Sequence, residues 1–560
     1  MSPTADPVTA TEAAPAKPAW WVRHYTFTGT AVGLVFIWLS LTPSLLPRGP
    51  LFQGLVSGGA GAIGYGLGVF AVWLVRYLRS RQSSPKAPRW AWLVLTGVGA
   101  VGMVASIVWF HVWQDRLRDL IGVPHLSRLS YPLTGILAVL VLFALVEGGQ
   151  LTRRLFRFLV GQLNRVAPPR VSKVVAVGLL VALSIALLNG VVVRTAMNTM
   201  NSTFASVNDE MDPDSAAPTS TLRSGGPGSL VTWESLGHQG RIFVESGPSI
   251  QQLTAFNGAP ATEPIRVYAG LNSADGMAAA AQLAARELQR TGGLKRDVVA
   301  VATTTGTGWI NEAEATALEY LFNGNTAIVS MQYSFLPSWL SFLVDKENAR
   351  QAGTMLFEAV DALVRAMPEA DRPKLVVFGE SLGSFGGEAP FMNLNNVLAR
   401  TDGALFSGPT FQNTIWTDLT ESRDAGSPQW LPTYQDGRNV RFVARPEDLK
   451  RPDAPWETPR VVYLQHASDP IAWWSPDLLF RKPEWLSEEH GVDVLPEIRW
   501  IPVVTFLQVS ADMAVALDVP PGHGHHYVQD AADAWAAILQ PPGWTHEQTE
   551  RLRPLLSSPG

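Results

Sequence analysis

The sequence contains no cysteine among its 560 residues, and its net charge is only −5. The absence of cysteine excludes disulfides and thiolate metal ligands, but it does not identify the cellular compartment. The small net charge gives no indication of a nucleic-acid partner. Charged residues are also missing from the middle of the long apolar runs near the N-terminus, where a transporter would be expected to carry them. We therefore expect this part of the chain to be an anchor.

Five apolar segments follow one another in the N-terminal part of the chain. Most of them approach or exceed the roughly 20 residues that a helix needs to cross a bilayer. The second segment is rich in glycine, which allows helices to approach closely in lipid. We predict a bundle of about five transmembrane helices, which could also mediate homo-oligomer contacts. The segments are Thr26 to Leu46, Leu51 to Val75, Ala91 to Val112, Leu133 to Val146 and Val174 to Val193.

Basic residues are concentrated in alternate loops between these segments. The loops after the second and fourth segments are basic, whereas the others hold a single arginine or balance arginine with aspartate. Because basic loops stay in the cytoplasm, we predict a cytoplasmic N-terminus and a multi-pass protein of the cell membrane. Everything after Val193 is then extracytoplasmic. The basic residues are Arg76, Arg79, Arg81, Lys86 and Arg89 in one loop, and Arg153, Arg154, Arg157, Arg165 and Arg170 in the other.

The chain after the membrane segments changes character. A stretch of small and polar residues comes first, and short apolar runs then alternate with helical patterns. Runs such as "RIFV", "IRVYAG" and "DVVAVATTT" are typical of strands, and the helices between them indicate a mostly parallel sheet with helices on both faces. The predicted organisation is a cytoplasmic tail (1–24), a transmembrane domain (25–197), a linker (198–229) and a catalytic domain (230–560).

The stretch "KLVVFGESLGSFGGE" contains a G-x-S-x-G motif around Ser381. The motif alone is weak, since a chain this rich in glycine produces it by chance. Its context is a strand that meets a sharp turn, and Gly379 and Gly383 remove the side chains that would collide there. Ser381 is therefore either a nucleophile above the carboxyl end of the sheet or part of an ordinary strand-to-helix loop.

A serine nucleophile needs a base and an orienting carboxylate. Asp469 follows the apolar run "RVVYLQH", and a histidine cluster in "PPGHGHHYVQD" follows the apolar stretch "WIPVVTFLQVS". All of these residues are expected near element boundaries, where parallel sheets bind ligands. The order Ser, Asp, His along the chain is that of α/β-hydrolases.

Three histidines compete for the role of base. His523 and His525 each follow a glycine, and His525 is nearer the next helix. We therefore favour His525 as the base, with His523 as the alternative, and favour both over His526. A metal site is the rival interpretation, but His466 is the only other nearby imidazole. We therefore predict neither a metal nor a cofactor.

The developing oxyanion needs hydrogen-bond donors. The backbone amide of Leu382 is one candidate, and the loop "TTTGTGW" after an earlier strand offers Thr305 or Gly306. The loop lacks the lysine of a P-loop.

Tryptophans surround the expected mouth of the site. Trp309 follows the oxyanion loop, and Trp473 and Trp474 follow the acid. They either line a pocket for an acyl chain or pack a lid over the core.

Three stretches, "SLTPSLLPR" at Ser40 to Arg48, "GESLGSFGGE" and "GHGHHY", resemble a bacterial family common in actinobacteria. Members of that family join an N-terminal multi-pass membrane region to an α/β-hydrolase catalytic region. The resemblance covers most of the chain and implies a serine hydrolase with Ser381 as nucleophile. It does not supply a substrate.

These observations favour a membrane-anchored serine esterase or lipase that acts on an apolar or envelope-lipid ester, with the substrate and the bilayer as its partners. An acyltransferase using the same residues is the nearest alternative. A non-catalytic envelope scaffold that retains the fold is the alternative from another class.

Overall fold

A computed structural model of the chain describes residues 25–80, 87–189, 207–211, 215–337, 341 and 346–557. The predicted cytoplasmic tail and the first residues of the predicted linker lie outside these ranges. Within them, the N-terminal region is helical and the C-terminal region contains a single described sheet.

The described part of the N-terminal region contains five helices, one for each predicted segment. Three of the described helices, α2, α3 and α4, are long and apolar enough to cross a membrane. The prediction of five crossings is therefore supported only in part. The helices are Phe27–Ser40 (α1), Pro50–Leu78 (α2), Arg89–Ile121 (α3), Ser130–Leu163 (α4) and Pro169–Asn189 (α5).

The first helix is shorter than the sequence predicts. It ends at Ser40 after 14 residues and does not continue to Leu46. Pro43 and Pro47 explain the early end, because proline lacks an amide proton and disfavours helical geometry in the residue before it. Residues 41–49, which we call the docking loop, are instead largely buried beneath the C-terminal region.

The C-terminal region is built on a seven-stranded sheet in the order β1-β3-β2-β4-β5-β7-β6. All of its strand pairs are parallel. Nearly every strand residue is buried, because helices cover both faces, and this confirms the predicted parallel sheet with helices on both faces. The strands are Ile265–Ala269 (β1), Val298–Thr303 (β2), Thr326–Met331 (β3), Lys374–Glu380 (β4), Gly403–Ser407 (β5), Val440–Val443 (β6) and Arg460–Leu464 (β7).

The helices of this region follow most of the predicted patterns, with one exception. The run "RIFV", predicted as a strand, lies in helix α6, because a four-residue apolar run fits one face of a helix as well as a strand. The helices are Gly237–Glu245 (α6), Ile250–Asn257 (α7), Met277–Arg290 (α8), Glu312–Leu321 (α9), Lys346–Arg365 (α10), Leu382–Glu388 (α11), Leu394–Arg400 (α12), Thr414–Glu421 (α13), Pro470–Trp473 (α14), Val504–Asp512 (α15), Asp530–Leu539 (α16) and His546–Leu556 (α17).

The end of the predicted linker lies against the sheet. Arg223 forms an isolated parallel bridge with Arg266 of β1, and the Ser224 amide donates to the Arg266 carbonyl over 3.1 Å. The Arg223 guanidinium donates to the Val244 and Ser246 carbonyls. Residues 215–229 therefore extend the catalytic region at its β1 edge.

Candidate active site

Ser381 lies at the turn between β4 and α11. Its backbone has φ 57° and ψ −120°, a conformation that is strained for a residue with a side chain. A methyl group at Gly379 would meet the backbone of Gly383, and one at Gly383 would meet the Thr303 carbonyl. The glycines thus permit the tight turn that raises the serine above the carboxyl end of the sheet.

Asp469 and His525 are hydrogen-bonded to each other. His525 Nδ1 lies 2.7 Å from Asp469 Oδ2, and both side chains are buried. Asp469 caps α14 just beyond β7, where its Oδ1 accepts from the Ile471 amide over 2.8 Å. The Tyr527 hydroxyl also donates to Asp469 Oδ2 over 2.7 Å. These donors hold the carboxylate in one orientation beneath the imidazole.

The imidazole of His525 lies beside the serine turn. The Ser381 amide donates to the Ser407 carbonyl at the end of β5 over 2.9 Å, and the next residue, Gly408, has its α-carbon against the imidazole ring. A methyl group at Gly408 would overlap His525 Cε1. Because Asp469 engages Nδ1, the free nitrogen is Nε2, which is buried and has no hydrogen-bond partner in the described part of the chain.

The neighbouring histidines point to other groups. His523 Nδ1 lies 3.6 Å from Asp493 Oδ2, and His526 Nδ1 lies 2.8 Å from the Val519 carbonyl. Neither contacts Asp469. The structure therefore joins Asp469 with His525 and leaves His523 in a separate pair.

The backbone amides predicted to donate to the oxyanion differ in whether they already have a hydrogen-bond acceptor. Leu382 is the first residue of α11, so its amide has no carbonyl partner within the helix. The Thr305 amide, in contrast, already donates to the Trp309 carbonyl of its own loop over 2.9 Å. The buried Gly306 amide is left as the candidate from this loop.

Two family models together match most of the chain. A model described as the alpha/beta-hydrolase family matches residues 265–552, which include Ser381, Asp469 and His525. The chain belongs to the alpha/beta-hydrolase family. A model described as the N-terminus of an alpha/beta-hydrolase family matches residues 41–248, which include α2 to α5. Comparison with curated proteins and with solved structures finds no match.

Two buried glutamates lie behind the site of this alpha/beta-hydrolase. Burial, with a smaller effect from the Glu314 charge, raises the pKa of Glu380 well above its usual range, although Asn311 donates to its carboxyl over 2.5 Å. Burial also raises the pKa of Glu314 to about 8, against the opposing effect of a hydrogen bond from Ser407. Burial thus favours the neutral form of both carboxyls, which reduces the negative charge beside Asp469.

Sequence reasoning missed several residues of this network. Asn311 also donates to the Tyr527 carbonyl over 2.7 Å and so connects Glu380 with the histidine segment. Tyr527 lies two residues after His525, and this spacing in an extended segment could have indicated that both side chains face Asp469. Glu314 gave no signal, because a glutamate in the first turn of a helix is usually exposed.

The tryptophans have different environments. Trp473 is buried, packs between Trp416 and Trp485, and donates to the His466 carbonyl over 3.0 Å, so it belongs to the core. Trp474 is half-buried against Phe411 and Phe506. Trp309 is also half-buried. Only Trp309 and Trp474 have exposed surface with which to line a substrate path.

The described residues contain no cluster of three or more histidine, aspartate or glutamate side chains arranged to hold a metal ion. His466, the other imidazole considered, has its Nδ1 2.9 Å from the Gly524 carbonyl and stacks on Tyr527.

Proposed function

We propose that this alpha/beta-hydrolase is a membrane-anchored serine hydrolase that cleaves acyl esters outside the cytoplasmic membrane. The observation that carries the proposal is the 2.7 Å contact of His525 with Asp469 beside the strained turn of Ser381. A carboxylate on Nδ1 fixes the tautomer in which Nε2 can accept a proton. A turn at the carboxyl end of a parallel sheet exposes the serine hydroxyl to a substrate.

The reaction uses two acyl-transfer steps. Ser381 Oγ attacks the ester carbonyl as its proton passes to His525 Nε2, and the oxyanion accepts hydrogen bonds from the Leu382 and Gly306 amides. The imidazolium then donates its proton to the departing alcohol, which leaves an acyl group on Ser381. Water, deprotonated by the same imidazole, releases the acid and restores the serine.

An apolar or envelope-lipid ester fits the surroundings of the site. Half-buried Trp474, Phe411 and Phe506 form an aromatic group after the acid. The catalytic region also packs directly on the docking loop at one end of the apolar helices, which would bring the site close to a bilayer surface.

A fluorophosphonate probe tests the proposal, because it reacts covalently only with an activated serine. We expect the purified full chain to be labelled and Ser381→Ala to lose labelling. Ser422→Ala, at an exposed position of the same region, should keep it. Absence of labelling in folded wild-type protein would reject the enzyme and favour a scaffold.

The products formed from a model ester distinguish hydrolysis from acyl transfer. With a long-chain p-nitrophenyl ester, a hydrolase releases the free acid in step with the alcohol. Release of p-nitrophenol that outpaces acid release, and that speeds up when an added lipid alcohol takes the acyl group as a new ester, would favour an acyltransferase.

A further inference from the structure

The docking loop connects α1 to α2, yet it is buried against the catalytic region. Leu45 and Leu46 are fully buried and share one hydrophobic cluster with residues of the C-terminal region, such as Val515 and Val519. Leu117 and Ile121 near the end of α3 belong to the same cluster. The helical N-terminal region and the C-terminal region therefore share one continuous hydrophobic core.

A buried ion pair lies at the centre of this contact. Arg48 Nε is 3.4 Å from Asp512 Oδ1 at the end of α15, and both side chains are fully buried. The Ser44 hydroxyl and the Leu45 amide of the docking loop donate to Asp512 Oδ2. Arg48 also donates to the Gln508 carbonyl over 3.1 Å. A buried carboxylate without such partners is strongly unfavourable, so Asp512 depends on the docking loop for its charge balance.

Asp512 is connected to the segment that carries His525. The chain continues from Asp512 through a 3₁₀ turn, Met513–Val515, to Ala516. The Ala516 carbonyl accepts from the His525 amide over 2.9 Å. A methyl group at Gly524 would lie 2.7 Å from the Ala516 carbonyl and 3.4 Å from Leu46, so the docking loop also reaches the residue before His525.

We propose that the docking loop is a positioning element of the catalytic site. Arg48, acting through Asp512 and Ala516, holds the backbone of His525 where its imidazole meets Asp469 beside the turn of Ser381. The inference rests on the proposed function and adds to it, because the membrane region then contributes to catalytic competence as well as to anchoring.

The buried pair of Arg48 and Asp512 differs in burial from another ion pair between the two regions. A second ion pair joins the two regions, between Arg116 on α3 and Glu497, at 2.5 Å. Its side chains are 47% and 35% exposed, and solvent screening makes such a pair weak. It lies outside the connection from Asp512 to His525 and therefore provides a matched control.

The experiment measures the rate of fluorophosphonate labelling of Ser381 in the full chain, in detergent or nanodiscs. We expect Asp512→Asn to slow labelling by about 10- to 100-fold, the loss typical of small misplacements of catalytic groups. Glu497→Gln should change the rate less than about 2-fold. The midpoint of thermal unfolding, measured on the same samples, reports the folded fraction.

A double-mutant cycle distinguishes positioning from general destabilisation. If Asp512 acts through His525, Asp512→Asn should have little further effect on the residual slow labelling of His525→Ala. An equal loss in both backgrounds, or no loss in either, would overturn the inference. If Asp512→Asn does not fold, Ser44→Ala and Arg48→Lys replace it, because both keep a cation opposite Asp512. Each should lower the labelling rate less than Asp512→Asn would, with the same dependence on His525.

The failure of the proposed function has a different signature. Wild type that folds but is not labelled, or labelling that survives Ser381→Ala, would reject the hydrolase itself. Wild type labelled at Ser381, with an Asp512→Asn rate equal to that of Glu497→Gln, would reject only the positioning role.

Discussion

At the residue scale, the three adjacent histidines provide the sharpest test of the site. Only His525 contacts Asp469, whereas His526 points to the Val519 carbonyl. We expect His525→Ala to reduce ester turnover by at least about 10³-fold, because neither of the other two histidines is oriented by Asp469. His526→Ala should retain most activity. Initial rates with a soluble ester measure both.

His523→Ala is the informative comparison for that prediction. His523 lies near Asp493, whose carboxylate also accepts from Ser468 in the segment just before Asp469. Its loss should therefore cause a partial decrease. Full activity in His525→Ala, with activity lost only in His523→Ala, would assign the base to His523.

Buried Glu314 should make stability depend on pH. Burial raises its pKa to about 8 in the folded chain, from an ordinary value of 4.5. Between these values the folded state keeps a proton that the unfolded state has released, so stability is full at low pH, falls as pH rises through this window and levels off above about 8. We expect a loss on the order of 2 kcal/mol between pH 5 and pH 8 from this group.

Glu314→Gln provides the measurement. The amide keeps an acceptor for Ser407 but cannot ionise, so the midpoint of thermal unfolding should fall less between pH 5 and pH 8 than in wild type. Glu421→Gln, at an exposed position, should behave as wild type. An unchanged slope in Glu314→Gln would show that this carboxyl does not retain its proton on folding.

The residues that sequence could predict are those with a local signature. Gly379 and Gly383 mark the turn of Ser381, and Asp469 follows an apolar strand. Asn311 has no such signature, because its role comes from hydrogen bonds to Glu380 and Tyr527, which lie 69 and 216 positions further along the chain. Such partners become visible only when the fold brings the segments together.

At the element scale, the glycines of α2 should separate into two classes. Methyl groups at Gly54 and Gly58 would collide with Leu137 and Val141 of α4, whereas one at Gly59 would meet nothing within 4 Å. We expect Gly58→Leu to lower the thermal midpoint in detergent by several degrees, because it separates α2 from α4. Gly59→Leu is the matched control and should leave the midpoint unchanged. Equal effects would indicate that the glycines are merely tolerated.

Elements with a clear local pattern were predicted well, whereas an element that packs on a distant part of the chain was not. The fully apolar run of β2 has a length typical of a buried strand, and it forms one. The stretch "WIPVVTFLQVS" before the histidines is mostly the helix α15, although its apolar run suggested a strand end. Its docking against residues 41–49, more than 450 positions away in the chain, decided its conformation.

At the scale of the whole molecule, the two ends of the helical bundle differ. The catalytic region contacts the docking loop and the last turns of α3 at one end. The described ends of α2 and α4, which lead into the predicted cytoplasmic loops, are the ends opposite the docking loop. For a membrane across these helices, the charge pattern predicts that the basic loops and the C-terminal region are on opposite sides.

The absence of cysteine makes that topology directly measurable, because any thiol introduced is the only one in the chain. We would place single cysteines at exposed Ser127 between α3 and α4, Asn164 after α4 and Ser422 in the catalytic region. In intact spheroplasts, a membrane-impermeant maleimide should label Ser127→Cys and Ser422→Cys, whereas Asn164→Cys should react only after lysis. Wild type provides the blank. Labelling of Asn164→Cys alone before lysis would reverse the orientation and put the hydrolase in the cytoplasm.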